Sequence, residues 1–263
     1  RVYSSNLSLV VFILLRMNKR GVLFLTLCGY VFQLYAGPGT GFIENKNQWP
    51  CEVDFLADIQ GGQMAIIAGQ FNYFFLYYGK VQQLHEASHN EFNEADPSAE
   101  VDHPITGRKV SVSFINSNSF VKPKAFGRSN IYYNYFFGSD PVKWGSKAFQ
   151  YQEIVYQNIY DGIDLRITTE GNNIKYDLIV DPAVDPAAIQ LRYEGAKQIY
   201  VSNGDLIVDA ALAEMIEKKP IAYQIIDGKK KWVSVAYLLA DEIVSFSFPE
   251  GYDPCVELVI DPL

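Results

Sequence analysis

Three features of the sequence predict an all-β fold built as two packed antiparallel sandwich-like subdomains. Apolar residues recur with a period of two in short runs, as at Ile174, Tyr176, Leu178 and Val180, which places them on one face of an extended strand. Pairs that favour tight turns separate such runs, among them Gly61-Gly62, Asn203-Gly204 and Asp227-Gly228. The chain also carries 18 Tyr and 17 Phe, residues that suit half-buried sheet faces. Its 263 residues can hold one large or two small β units, each able to bury a core. No internal repeat of fixed period is evident, which argues against a propeller or solenoid.

The expected organisation is a leader over 1–36, an N-terminal β subdomain over 37–148 and a C-terminal one over 149–263. Met17-Asn18-Lys19-Arg20 is a basic stretch followed by an apolar run to Leu34, and Ala36 is a small residue suited to cleavage, so 17–36 reads as a secretory signal peptide. Residues 1–16 read as translation upstream of the true start. A membrane anchor is the alternative, but Arg16, Lys19 and Arg20 break the apolar run into pieces shorter than the ~20 residues a spanning helix needs. Cys28 follows Leu27, too large for the small residue that precedes a lipid-attachment cysteine. The expectation is therefore an exported chain, extracellular or at the outer-membrane surface, with no membrane span after Gly37. Arg1, Arg16, Lys19 and Arg20 leave 18 basic against 30 acidic residues beyond position 36. That balance disfavours nucleic acid and anionic membranes as partners and is compatible with calcium or a cationic surface.

In the first subdomain, 37–41 is an irregular lead-in and Trp49 is an aromatic anchor. Strands are expected over 53–59, 64–68 and 71–78, the last strongly aromatic. From 79 to 104 the composition turns polar and acidic, with Val81, Leu84, His85 and Phe92 able to make only a modest helical stripe, which reads as a long loop or short helix. Alternation resumes over 109–114 and 131–137, and the subdomain boundary is placed near Trp144 to Phe149. In the second subdomain, strands are expected over 151–156, 163–167, 214–217, 221–226, 232–239, 243–248 and 256–260. Its most orderly stretch, 173–208, reads as consecutive antiparallel strands. Asp181-Pro182 and Asp185-Pro186 end the first of these, because proline cannot donate to a ladder.

Several motifs together carry a resemblance. They are Glu44-Asn45-Lys46-Asn47-Gln48-Trp49-Pro50; Tyr133-Asn134-Tyr135-Phe136 with Gly138, Asp140 and Trp144; and Asn158-Ile159-Tyr160-Asp161-Gly162-Ile163-Asp164-Leu165. Further on come Lys175-Tyr176-Asp177, Tyr193-Glu194-Gly195-Ala196, Gly204-Asp205-Leu206, Lys219-Pro220-Ile221-Ala222-Tyr223-Gln224 and Val259-Ile260-Asp261-Pro262. From about Gly41 to the end, the chain resembles the N-terminal domain of unknown function of large secreted surface proteins of Bacteroidota. The resemblance implies downstream modules in the same protein: β-propeller-type repeats, immunoglobulin-like or PKD-like domains, and a gliding-motility-type C-terminal domain used in type IX secretion. It implies a structural or adhesion-related accessory module that binds glycan or protein at the cell surface, and it transfers no catalytic residue.

Chemistry is sparse. His85-Glu86-Ala87-Ser88-His89 matches the zinc-peptidase pattern, in which two histidines on a helix hold zinc and the glutamate acts as general base. His103, Glu91 or Glu94 would have to supply a third ligand, and the polar surroundings suit a solvated loop instead. A zinc hydrolase using Glu86 with His85, His89 and His103 is thus the alternative to a module without cofactor. Asp161, Asp164, Asp177, Asp181 and Asp185 suggest calcium or a glycosidase pair, although turn chemistry and outward strand positions also explain them. Cys51 and Cys255, outside the family pattern, either join in an oxidising compartment or are buried free thiols. Tyr132, Tyr133, Tyr135, Phe136 and Phe137 occupy both faces of one strand. They form either a glycan-stacking platform or a strand buried between sheets.

Overall fold

The computed structural model describes residues 2–4, 41–76, 107–170, 173–211 and 213–262. Among these, 21 strands form three antiparallel sheets, with two short 3-10 turns at Pro141–Lys143 and Pro186–Ala188 and no α-helix. The largest sheet is ordered β1 (Val2–Ser4), β8 (Tyr132–Tyr135), β9 (Gly145–Tyr151), β2 (Phe42–Glu44), β3 (Phe55–Ile59), β4 (Gly62–Ile67), β5 (Gln70–Leu76), β6 (Gly107–Phe114), β13 (Leu191–Glu194), β20 (Ile243–Ser247) and β19 (Ala236–Ala240). The second is ordered β18 (Lys229–Val233), β17 (Ile221–Ile226), β21 (Leu258–Asp261), β12 (Asn173–Val180), β11 (Ile163–Glu170), β10 (Glu153–Tyr160) and β7 (Lys124–Phe126). The third is a small sheet of β14 (Gln198–Ser202), β15 (Asp205–Asp209) and β16 (Glu214–Glu217). The chain is all-β, as its alternation predicts, with antiparallel sheets packed in the manner of a sandwich.

Alternation sets the faces. Tyr176, Leu178 and Val180 of β12 and Ile163, Leu165 and Ile167 of β11 point into the core, where each is buried. The larger sheet meets them with Phe71 and Phe114. These two rings lie 5.2 Å apart edge to face, and both pack on Tyr176 at 5.7 and 6.2 Å. The hairpins at Asn203-Gly204 and Asp227-Gly228 turn as expected, each residue having the positive φ that a tight primed turn requires.

The pairing departs from expectation in three places. The stretch 173–208 does not form consecutive paired strands. Instead β12, β13 and the β14–β15 hairpin lie in three different sheets. The Asp-Pro segment is the crossing between sheets: Asp185 accepts from the Ala187 N–H at 2.9 Å, and the Ala183 N–H donates to the Pro254 carbonyl at 2.7 Å. The run 232–239 is likewise two strands, β18 in the second sheet and β19 in the first, because the chain changes sheet at Ser234-Val235. Finally, the boundary expected near 148/149 falls inside β9. Strands from either side of it share the largest sheet, joined at the pair β6–β13. They also share one buried cluster containing Phe42 and Val112 alongside Leu165 and Ile260. Each half has an apolar sheet face that water would penalise, and each buries it against the other. Of the segment 1–36 only Val2–Ser4 is described, as β1 paired antiparallel with β8; the rest of it and the loop 79–104 lie outside the described residues, among which no helix is long and apolar enough to cross a membrane.

Phe71 sits at the centre of the contact between the two large sheets. Phe71→Ala is expected to lower unfolding free energy by about 3–5 kcal/mol in urea titrations, the usual cost of an emptied aromatic site. A loss below about 1 kcal/mol would place the stabilising contact elsewhere.

Candidate functional site

The aromatic strand expected near Tyr133 is β8, and it is not buried between sheets. It lies toward one end of the largest sheet, paired with β9 on one side and with the short β1 on the other, and its surroundings form a small cluster of Ile43, Tyr135 and Ala148, packed by Trp49 and Tyr133 and separate from the main core. Tyr135 is buried, Tyr132 and Tyr133 are partly buried, and Phe136, Phe137 and Trp144 are exposed at 41%, 44% and 37%. On one side, Tyr133, Tyr135 and Phe137 make a tilted ladder with centroid spacings of 6.3 and 5.8 Å, and Trp49 packs on Tyr135 at 5.3 Å. Two further pairs flank it: Phe136 meets Trp144 edge to face at 5.3 Å, and Tyr132 meets Phe149 at 5.6 Å. The Arg128 guanidinium lies 4.6 Å from the Phe149 ring centroid. Burial, with the nearby Asp58 charge, holds the Tyr133 and Tyr135 phenols above their ordinary range, so both stay neutral hydroxyls.

Short polar side chains set this patch in place. Asn45 Nδ2 donates to the carbonyls of Pro50 at 2.9 Å and Val53 at 2.8 Å, and its Oδ1 accepts from the Asn47 and Trp49 N–H groups. The loop carrying Trp49 is thereby closed on itself. Gln48 Nε2 donates to the Glu44 carbonyl at 2.8 Å, and β9 passes so close that a Cβ on Gly145 would come within 2.3 Å of Gln48 Oε1. Asn134 Oδ1 accepts from the Ser146 hydroxyl and the Lys147 N–H, which fixes the register shift between β8 and β9. The motifs 44–50 and 133–144, distant in sequence, thus converge on one aromatic surface.

A second site was not visible in the sequence. Where β16 closes one end of the sandwich, the Glu217 carboxylate accepts from the Tyr193 hydroxyl at 2.6 Å and the Tyr176 hydroxyl at 3.1 Å. The Tyr237 hydroxyl, bonded to the Lys218 carbonyl at 3.2 Å, lies beside the same carboxylate. Glu217 is only partly buried as a residue, yet its charged end is enclosed. It lines a cavity of about 150 Å³ with Met64, Tyr73 and Ile174, next to a cleft of about 740 Å³. Burial pushes the Glu217 carboxyl above the usual range, while the tyrosine hydrogen bonds work in the other direction. With its acceptors engaged by hydroxyls, this carboxylate is an anchor between sheets. In the strand 214–217 the apolar Ile216 faces outward, exposed at 46%, so the period-two pattern is inverted there.

The remaining expected sites resolve individually. His85, Glu86, His89 and His103 lie outside the described residues. Cys51 and Cys255 are neither joined nor buried: both are free and exposed. Of the five aspartates, Asp161 and Asp181 sit in exposed turns, Asp164 accepts from the Asn158 N–H at 2.7 Å, Asp185 caps its turn, and Asp177 pairs with Arg166. Among the described residues no group of three or more His, Cys, Asp or Glu is placed to hold a metal ion. A family model described as Domain of unknown function (DUF7948) matches residues 42–263. No curated protein and no solved structure matches the chain.

Removing the anchor tests its role. Glu217→Ala leaves buried hydroxyls without an acceptor and is expected to cost about 3 kcal/mol, with Glu217→Gln costing less than half as much. The raised carboxyl means that the native state keeps a proton the unfolded chain has released. The stability due to Glu217 is therefore fully present below about pH 4.3 and falls as pH rises through the folded value. In urea titrations at pH 4 and pH 7, the stability of wild type relative to Glu217→Gln should decline toward pH 7. An increase would contradict the assignment.

Proposed function

Since this chain belongs to the DUF7948 family, a domain of unknown function, we propose that it is a non-catalytic binding module of a secreted surface protein, with glycan bound at its aromatic β8–β9 surface. The observation that carries this reading is the open group of Phe136, Phe137 and Trp144 beside the Tyr133–Tyr135 ladder. Exposed rings present apolar faces to the apolar face of a sugar, while Tyr hydroxyls and the Arg128 guanidinium are hydrogen-bonding groups at the margin. Loops closed by Asn45 and Asn134 hold those rings, so little ordering cost falls on binding.

The wider context is part of the same proposal. The resemblance to N-terminal domains of large Bacteroidota surface proteins, the signal-like segment 17–36 and the acidic balance of the remainder all support an exported, structural or adhesion-related module. In this reading it precedes repeat modules and a gliding-motility-type sorting domain in a protein sent through type IX secretion.

A glycan array probed with the purified chain provides the test, with a protein array from the same surface as a second arm. Binding to a defined glycan class, reduced at least tenfold in Phe136→Ala/Phe137→Ala and in Trp144→Ala, is expected. These positions are exposed, so thermal midpoints should stay within a few degrees of wild type. Binding to protein alone, or glycan binding indifferent to all three rings, would contradict the proposal.

A further inference from the structure

The end of the sandwich that β16 closes opens into a cleft. Its volume of about 740 Å³ lies within the roughly 300–1,000 Å³ typical of sites for small molecules. Tyr73 and Phe75, two apart on β5 and so on one face, give it a flat aromatic wall, with ring centroids 6.4 Å apart and planes inclined at 5°. Ile174 of β12 and Met215 and Ile216 of β16 add apolar surface. A smaller chamber of about 150 Å³ adjoins the cleft, since Tyr73, Ile174, Met215 and Ile216 are walls of both. Neither is sealed, and Glu217 and Tyr176 line the smaller one.

The charges at this end do not balance. Its two lysines are each matched by an aspartate, Lys175 by Asp261 and Lys218 by Asp205. Glu170 and Glu214 add negative charge to the cleft, and Glu217 adds it to the chamber. An enclosed carboxylate is ordinarily matched by a cation. Among the described residues Glu217 has none within ion-pair distance; its polar neighbours are tyrosines, with the Tyr176 and Tyr193 hydroxyls donating to it. Those hydroxyls satisfy acceptors and supply no positive charge. Burial and the Glu217 charge also hold the Tyr73 phenol above its ordinary range, so the aromatic wall adjoins the unmatched carboxylate.

We propose that this end of the sandwich binds a small organic amine, with its ammonium group in the chamber beside Glu217 and its apolar body along the wall of Tyr73 and Phe75. An ammonium supplies the missing charge, and aromatic rings attract a cation over their faces. Glu170, Glu214 and Glu217 together repel an anion, and a neutral apolar molecule would leave Glu217 unmatched. No residue lining the cleft or the chamber belongs to the β8–β9 surface, so this site stands or falls separately from glycan binding.

The experiment is calorimetric titration of the full chain with 2-phenylethylamine and hexylamine, beside their neutral counterparts 2-phenylethanol and hexanol. At least one amine should bind, and its alcohol should bind at least tenfold more weakly. Glu217→Gln, which removes the charge, and Ile216→Lys, which sets a cation at the shared wall, should each weaken amine binding at least tenfold. Ile216 is exposed at 46%, so its variant tests the site even if Glu217→Gln fails to fold. Phe136→Ala/Phe137→Ala should leave amine binding unchanged, which separates this outcome from that of the aromatic edge. The proposal is overturned if neither amine binds, if the alcohols bind as tightly as the amines, or if either variant, when folded, binds as wild type does.

Discussion

The hydrogen bonds of one carboxylate tie the architecture together. Glu217 belongs to the small third sheet, Tyr193 to the largest sheet and Tyr176 to the second, and both hydroxyls donate to it. Tyr176 also sits on Phe71 and Phe114, so the polar junction continues into the apolar contact between the two large sheets. A charge so enclosed is tolerable only while its oxygens are satisfied, which makes the relative placement of the three sheets a condition of its burial.

That constraint explains why strands close in sequence can diverge in space. The chain leaves β12, crosses at the Asp-Pro segment to β13, and turns at Glu194-Gly195 toward the β14–β15 hairpin, visiting all three sheets within 173–208. The crossing keeps Tyr176 and Tyr193 on inward faces, where a single acceptor from β16 reaches both. The same exchange of strands leaves two surfaces uncovered among the described residues. One is the aromatic end around β8, beyond the main core; the other is the outward face of the second sheet, where Arg166 and Lys175 partly cover their aspartates.

Much of this was legible in the residues, for a definite reason. Period-two alternation reports which face a side chain takes, and it placed Ile174, Tyr176, Leu178 and Val180 correctly. Asn203-Gly204 and Asp227-Gly228 announced their hairpins because few other pairs accept two positive φ values. Alternation says nothing about partners, so the separation of β12 from β13 and the change of sheet at Ser234-Val235 could not be read. Glu217 was hidden by its type: in a strand of Glu, Met, Ile and Glu, the outward position goes to Ile216 and the inward one to the acid. Asp177 was placed on the correct outward face, but its burial depends on Arg166 from the neighbouring strand. The strand 132–135 has aromatics on both sides, a pattern that fits burial between sheets as well as the end of a sheet that outruns its partner.

Some of the motifs that carry the family resemblance lie at these places: residues 44–50 and 133–144 at the aromatic end, and Lys175, Asp177, Tyr223 and Asp261 on the outward face. The chain's three tryptophans, Trp49, Trp144 and Trp232, report on both surfaces. The most direct measurement of glycan recognition is therefore the indole N–H spectrum of the folded chain during titration with a glycan. Saturable shifts of the Trp49 and Trp144 resonances are expected. Three indole resonances unmoved by every glycan class would contradict such recognition.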